Sequence, residues 1–572
     1  MKITLAKTAG FCMGVRNAIR RIINEINNRK DDILVFGPLI HNPQTLELLG
    51  SRGLRTIDNF DSIDGKTITI RTHGITQSMM KEIDKRAKSI INLTCPRVER
   101  VQKIIQKYSG EGCFTIIIGD ETHAEVISLK SYATSGVFVI SDEEDIDKIP
   151  LADKYIMVSQ TTFEIDVFKK IESELKGRLS GLTVINTICN ATYNRQGEVK
   201  DAIKKGVDAL VVVGGKNSAN TQRLVQIGKS SRVKTLPVET EFDLNEKDFI
   251  NINELFITAG ASTPGWIINN ILEKLFRISV DNGLFIFKYF LYLLELLVRL
   301  NIFSATCAFL LCLFVHDYLG VQRDYGLAFV SLIYIFSMSI VEKYYELDSL
   351  RIVKPTKFEF YRGKRIILYP LAVIILHIAF IIISQYDSNV IAIFVIVSLF
   401  SFISFTKRVR LFFNNSRLRL VKNLNRFMNT ITPIGWVIVT TVIPLIAHKA
   451  EGIYIVVLSL FIYCFAYLRS TLLDIIDYQV DQIMGKNTFP ILLGLKKTKN
   501  ISLIISFISI IVFGCFSHLQ LRPFFIIYIA VIFYFIILLV KIMKHKYIIS
   551  LKYEILIELN LLFLILFSII FM

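Results

Sequence analysis

Three cysteines and three histidines hold most of the chemistry this sequence could do. Cys12 lies in Ala9-Gly10-Phe11-Cys12-Met13-Gly14-Val15, Cys95 in Asn92-Leu93-Thr94-Cys95-Pro96 and Cys189 in Asn186-Thr187-Ile188-Cys189-Asn190-Ala191-Thr192. Each follows a short apolar run that reads as a strand, and they stand 83 and 94 residues apart. The other cysteines lack this setting: Cys307, Cys312, Cys464 and Cys515 fall in long apolar stretches, and Cys113 opens a strand, where a thiol is a small hydrophobe. Three thiolates meeting at one point would leave a metal centre with one position free. Structural zinc asks for four ligands and catalytic zinc rarely takes three thiolates; iron–sulfur clusters favour thiolate. With three cysteines, one iron of a 4Fe–4S cluster stays open to act as Lewis acid and electron donor together. A zinc hydrolase on the same thiols is the alternative at this point.

The first 280 residues hold three histidines, His41, His73 and His123. Each lies just past a strand-like run. Imidazoles together with nearby hydroxyls and amides make a cradle for a phosphorylated ligand, with many donors and no single arginine fork. Glu125 stands two residues after His123. A carboxyl among anion-binding donors is electrostatically out of place unless it handles protons.

The elements that must position these groups are continuous apolar runs: Ile33–Phe36, Thr67–Ile70, Thr115–Ile118, Tyr155–Val158, Ala209–Val213 and Leu255–Ile257. Continuous rather than alternating runs are those of strands covered by helices on both sides, so they predict an α/β fold with parallel sheets. Polar residues cluster at the C-terminal ends of these runs, the edge where open α/β sheets bind ligands.

The 572 residues carry a net charge of +17. Much of that excess falls in short loops between apolar segments, which is the positive-inside pattern rather than a nucleic-acid footprint. No secretory h-region opens the chain and no cysteine spacing suggests disulfides, so a reducing, cytosolic setting is expected for the first half.

Seven motifs of the first half together resemble the LytB/IspH family of 4-hydroxy-3-methylbut-2-enyl diphosphate reductases. They are the Cys12 stretch, Gly37-Pro38-Leu39-Ile40-His41-Asn42, Arg71-Thr72-His73-Gly74, Cys95-Pro96, His123-Ala124-Glu125-Val126, Gln160-Thr161-Thr162 and Cys189-Asn190-Ala191-Thr192; Asn217-Ser218 with Asn220 and Gly260-Ala261-Ser262 complete the set. The resemblance implies that Cys12, Cys95 and Cys189 hold a 4Fe–4S cluster. It implies that His41, His73, His123, Thr161, Ser218, Asn220 and Ser262 bind the substrate's diphosphate and that Glu125 supplies the proton. The implied reaction is a reductive dehydroxylation to isopentenyl and dimethylallyl diphosphates, with ferredoxin or flavodoxin as electron donor. The implied fold is three α/β lobes in pseudo-threefold arrangement. One departure stands out: the family's second serine after Ser218 is here Ala219.

From about residue 284 onward Phe, Ile, Leu and Tyr dominate. Nine apolar spans are expected, at about 299–317, 326–341, 366–384, 389–406, 432–449, 453–472, 499–517, 522–541 and 554–572, an all-α polytopic membrane domain. Domain bounds are expected at 1–275, a linker and interfacial segment at 276–298, and the membrane domain at 299–572. The loops 342–365, 407–431 and 541–553 are rich in Lys and Arg, which places them and the first domain on the cytoplasmic side of a cell inner membrane. Asp474, Asp477 and Asp481 stand at i, i+3 and i+7, one face of a helix end that could hold magnesium and through it a diphosphate. With Gly485, Thr488, Pro490 and Gly494 they resemble the second aspartate motif of UbiA prenyltransferases. The matching first motif is degenerate, Glu342-Lys343-Tyr344-Tyr345-Glu346-Leu347-Asp348; Lys407 and Arg408 could assist a diphosphate. Prenyl transfer and an inert membrane anchor are the two readings of this half.

Overall fold

The computed structural model describes the chain except residues 30, 62, 282–284, 406–430, 451, 485, 487, 518–521, 545–549 and 560–572. It divides into two compact units, Met1–Lys274 and Leu275–Met572.

The first unit holds three four-stranded sheets in which every pairing is parallel. In spatial order the first is Lys2–Leu5, Glu254–Ala259, Ala209–Val213, Lys234–Val238. The second is Ser89–Asn92, Thr67–Ile70, Ile33–Phe36, Leu54–Ile57; the third is Leu182–Val184, Tyr155–Ser159, Phe114–Ile118, Val137–Ile140. The central strands are apolar along their length because both faces are covered: Thr67–Ile70, Tyr155–Ser159 and Ala209–Val213 are buried throughout. The N-terminal strand joins the last third of the unit, pairing Lys2–Leu5 with Glu254–Ile257, so the first and last strands of the unit close one sheet.

Three strands lie outside the runs named above: Leu54–Ile57, Val137–Ile140 and Lys234–Val238. All three are edge strands. Polar, exposed positions break the pattern of Leu54–Ile57 and Lys234–Val238, and Pro237 sits in the latter, which an edge tolerates; Val137–Ile140 is apolar throughout.

The second unit is helical. Helices Ile302–Leu319, Tyr325–Tyr345 and Arg365–Ile383, and the stretch Ile455–Ile476, are long and apolar enough to cross a membrane, so the chain is a membrane protein. Helices Ser388–Phe405, Leu495–Ser517 and Arg522–Lys544 match further expected spans, and Ile431–Ala447 runs through a π turn at Ile438–Val442. The ninth expected span lies mostly outside the described residues, as do Lys407 and Arg408.

Two differences from the sequence reading matter. The helix begun at Gly265 continues to Asp281, through residues expected as linker. The stretch 342–365, expected as a loop, holds helices Leu347–Val353 and Pro355–Gly363. Their Lys and Glu spacing hid helical turns that are too short to show an apolar period.

Candidate functional site of the first unit

The three sheets deploy their residues in the same order. The strand at one edge of each sheet leads to a cysteine: Lys2–Leu5 to Cys12, Ser89–Asn92 to Cys95, Leu182–Val184 to Cys189. The next strand in each sheet leads to Ser262, His73 and Thr161; the third leads to Ser218 and Asn220, to His41, and to His123 with Glu125. The outermost strands, Lys234–Val238, Leu54–Ile57 and Val137–Ile140, carry none of the candidate residues. The expected site residues of this unit thus occupy equivalent places on three sheets.

Each cysteine is the residue just before a helix: Met13–Asn28, Pro96–Gly110 and Asn190–Lys204. Each is pinned through its own backbone N–H, Cys12 to the Ala261 carbonyl at 3.0 Å, Cys95 to Thr72 at 2.9 Å and Cys189 to Thr161 at 2.9 Å. Those acceptors belong to the loops of the neighbouring strand, next to or at Ser262, His73 and Thr161. Helix N-termini point unsatisfied N–H groups and positive partial charge at the sulfurs, which favours thiolate. The Val15 N–H reaches the Cys12 sulfur at 3.5 Å. Burial raises the Cys95 thiol, the amides of Arg97 and Val98 pull it down, and the charges of Cys12 and Cys189 raise it again, so the three feel one another.

The donor set and its surroundings fit a cluster. A methyl on Gly14 would lie 2.6 Å from the Cys95 sulfur and 3.9 Å from that of Cys12, so glycine keeps the space between thiols clear. Among the described residues, the groups whose ligand atoms all lie within 4.8 Å of one another do not include the three cysteines. A donor set of thiolates alone suits an iron–sulfur cluster better than a catalytic zinc.

Arg195 is a supporting residue that the sequence reading missed. It is 2% exposed and donates to the carbonyls of Ala259, Ala191 and Gly10. It thereby ties the Cys12 loop to the helix that follows Cys189. An arginine in an amphipathic helix gives no sequence signal of such a role.

The histidines converge: ring centroids are 4.9 Å apart for His41–His73, 5.3 Å for His73–His123 and 6.1 Å for His41–His123. His41 Nε2, His73 Nδ1 and Asn220 Nδ2 are buried without a partner. A buried polar atom without a partner costs free energy, about 1–3 kcal/mol each, unless a ligand completes it. His123 Nδ1 accepts the Glu125 N–H at 3.2 Å, which leaves Nε2 as the donor. Burial holds all three imidazoles neutral, His73 well below its usual range and His123 down to about 4, with Arg71 adding to the shift in each case. Their ligand atoms are close enough for a metal ion, but the Arg71 guanidinium beside them favours an anion. Arg71 also owes its place to Gly37, at φ +66°, where a Cβ would lie 2.6 Å from Nη1.

Glu125 is 1% exposed. Burial pushes its carboxyl up to about 7, against two bonds that favour the carboxylate: Thr161 N–H to Oε1 at 2.7 Å and Thr161 Oγ1 to Oε2 at 2.9 Å. The Thr161 hydroxyl is therefore committed to Glu125. Ser262 Oγ donates to the His41 carbonyl at 3.1 Å, and Ser218 Oγ accepts from Thr221 N–H at 3.4 Å. These hydroxyls keep lone pairs or a rotatable proton in reserve. Ala219 opens helix Ala219–Ser230 between them and Asn220.

In the second unit Lys354 Nζ lies 2.6 Å from Asp477, and Lys486 Nζ lies 2.9 Å from Glu346 and 3.5 Å from Asp481. Lys357 pairs with Glu554 at 2.7 Å. Asp474, Asp477 and Asp481 are not among the described groups whose ligand atoms lie within 4.8 Å. Two of them are held by ammonium groups, Asp477 by Lys354 and Asp481 by Lys486. Inside the bundle Arg469 pairs with Glu558, which also accepts from Ser304 at 2.6 Å, a buried charge pair that the apolar reading of the spans passes over.

The profile of the LytB protein family matches residues 3–276. A 4-hydroxy-3-methylbut-2-enyl diphosphate reductase of Solidesulfovibrio magneticus is 40% identical over 284 residues, which cover 48% of this chain and 99% of that protein. A solved structure of (E)-4-hydroxy-3-methyl-but-2-enyl diphosphate reductase is 33% identical with a TM-score of 0.39, covering 48% of this chain and 98% of the other. A UbiA homolog from Archaeoglobus fulgidus, solved with GPP and Mg2+, is 12% identical with a TM-score of 0.33, covering 48% of this chain and 99% of the other.

Proposed function

The chain belongs to the LytB family through residues 3–276, its first unit is a 4-hydroxy-3-methylbut-2-enyl diphosphate reductase, and we propose how its side chains share that work. The reaction belongs to isoprenoid precursor synthesis by the methylerythritol phosphate pathway. It removes an allylic hydroxyl as water with two electrons and two protons, leaving isopentenyl or dimethylallyl diphosphate. Cys12, Cys95 and Cys189 would hold a 4Fe–4S cluster, which when bound supplies electrons singly and an iron with an open position. A one-electron donor of the ferredoxin or flavodoxin kind is the partner this chemistry asks for.

His41, His73 and His123 take the diphosphate, helped by Ser218, Asn220 and Ser262 and by the charge of Arg71. The anion raises the imidazole pKa values, so binding draws protons into the site. Glu125 delivers the proton that leaves with the hydroxyl. A carboxyl near pKa 7 is protonated in a useful fraction at neutral pH and still releases its proton readily. Thr161, with two bonds to Glu125, fixes the carboxyl's orientation and relays to the substrate. The observation that carries this reading is the pairing of a buried, protonatable Glu125 with three neutral, partly unpartnered imidazoles. Anaerobic turnover of the substrate with a chemical one-electron reductant tests it. Both five-carbon diphosphates are expected; a dephosphorylated product and no reduction would contradict it.

For the second unit we propose membrane anchorage, on an inner membrane with the first unit in the cytoplasm, as the basic loops suggest. The lysine pairing of Asp477 and Asp481 supports this, since it satisfies the acids without magnesium. One observation favours prenyl transfer: Lys486 brings Glu346 of the first acidic stretch beside Asp481 of the second. Incubating membranes with magnesium and labelled prenyl diphosphates separates the readings, with Asp474→Ala as control. Label in a lipid-soluble product that Asp474→Ala abolishes would establish transfer; none would leave the anchor.

A further inference from the structure

A second cluster of metal-competent ligands lies in the membrane unit, far from the acid–lysine cluster. His316 near the end of helix Ile302–Leu319, Asp324 just before helix Tyr325–Tyr345, and His448 just after helix Ile443–Ala447 offer ligand atoms within 4.8 Å of one another. The two rings meet edge to face with centroids 4.9 Å apart. His316 is fully buried. Its Nδ1 lies 2.7 Å from the Cys312 carbonyl, a contact only an N–H can make, so Nε2 carries the lone pair. That Nε2 has no hydrogen-bond partner, and neither has the buried Nε2 of His448. Two imidazole nitrogens facing one space beside a carboxylate call for a cation or a proton.

The surroundings orient the ligands as metal sites do. The Cys312 carbonyl fixes the His316 tautomer. Asp324 accepts from Leu327 N–H at 3.1 Å and from the Tyr386 hydroxyl at 2.7 Å, which holds the carboxylate plane. The nearby Arg323 is paired with Asp317 at 2.7 Å, so its charge is balanced.

We propose that His316, Asp324 and His448 bind a divalent transition metal, zinc being the species whose ligand preferences they match. Two imidazoles and one carboxylate are ordinary zinc donors, and three protein ligands leave a fourth position for water. The ion clasps three helix ends, one of them over a hundred residues away in sequence. The 21-residue helix Tyr325–Tyr345 is about 30 Å long and separates this site from Glu346, so the clasp acts at the end of the unit opposite the acids.

The test uses the full-length protein, purified anaerobically with its iron, stripped of loosely held metal and equilibrated with micromolar zinc in detergent. Zinc per chain is measured beside iron per chain. The expected result is one tightly held zinc in the wild type, absent in His448→Ala at unchanged iron content, and retained in His73→Ala, which clears the histidines of the first unit. Cobalt substituted for zinc should give the visible bands of a nitrogen–oxygen site without thiolate charge transfer. Tyr386→Phe, which keeps the packing, should weaken zinc binding about tenfold even if His448→Ala fails to fold. Zinc equally tight in wild type, His448→Ala and Tyr386→Phe would overturn the proposal, as would no zinc in the wild type or a thiolate signature in the cobalt spectrum.

Discussion

The reductase site and the acid–lysine cluster of the membrane unit both gather buried ionisable groups, yet they resolve them in opposite ways. In the first unit the groups are left incomplete: three neutral imidazoles, a protonatable Glu125, buried nitrogens without partners. In the second, Lys354, Lys357 and Lys486 sit on the carboxylates of Asp477, Glu554, Glu346 and Asp481. Their charges hold one another: Lys354 and Lys486 are raised from their usual range against burial, chiefly by Asp477 and by Glu346 respectively. A site built for a ligand stores unsatisfied polarity, at a cost in stability, and a site built to hold a fold neutralises itself.

Substitution should separate the two kinds of site. Glu125→Gln is expected to lower kcat by a factor of about 10²–10⁴, the usual weight of a general acid, without loss of iron or of folded protein. Lys354→Met should do the reverse. Removing one partner of a fully buried ion pair costs about 3–5 kcal/mol; Lys354 and Asp477 are only partly buried, at 15% and 33% exposure, so the membrane unit should lose thermal stability by less than that while the reduction rate per folded chain stays unchanged. If Lys354→Met left stability intact, the self-neutralised description of that cluster would be wrong.

The pH response sharpens the contrast. Because Glu125 is raised from 4.5 to about 7, its protonated form is lost as pH rises through about 7, and the reduction rate should fall there; Glu125→Gln should flatten that limb. The same shift makes the carboxyl a stabilising group below pH 4.5 whose contribution fades as pH rises through about 7. His123 runs the other way. Lowered from 6.5 to about 4, it contributes stability that is complete above pH 6.5 and lost as pH falls through about 4. Thermal melts of His123→Asn across that window should show a weaker acid dependence than the wild type. The smallest effect expected is at Ala219: Ala219→Ser restores one hydroxyl beside the diphosphate donors, worth about 0.5–1.5 kcal/mol, and should lower KM several-fold with little change in kcat.

Much of the first unit could be read from the residues because buried parallel strands write themselves as continuous apolar runs, with the chemistry placed at their ends. The edge strands Leu54–Ile57 and Lys234–Val238 could not be read that way, since polar residues interrupt them; Val137–Ile140 is itself a continuous apolar run and was passed over. The cysteines and histidines were legible by type and setting. Arg195 was not: its role lies in three backbone carbonyls brought to it by the fold. In the second unit the spans were legible by length and hydropathy. The pairing of the acids with lysines was not, because Lys354 and Asp477 are joined only by packing of distant helices. The UbiA-like aspartate spacing suggested a magnesium face; it gave no sign that Asp477 and Asp481 each have a lysine beside them. His316, Asp324 and His448 were equally invisible, three unremarkable loop-end residues until the helices brought them together.

The reductase chemistry requires three sulfurs meeting around one cluster. Iron, acid-labile sulfide and zinc, measured on anaerobically purified wild type and on single Cys→Ser variants at 12, 95 and 189, test this most directly. The expected outcome is brown wild-type protein with iron and sulfide in the equal proportion of a 4Fe–4S cluster, and each variant depleted of both and inactive. Colourless protein carrying zinc in their place, or full turnover in any one of the variants, would contradict it.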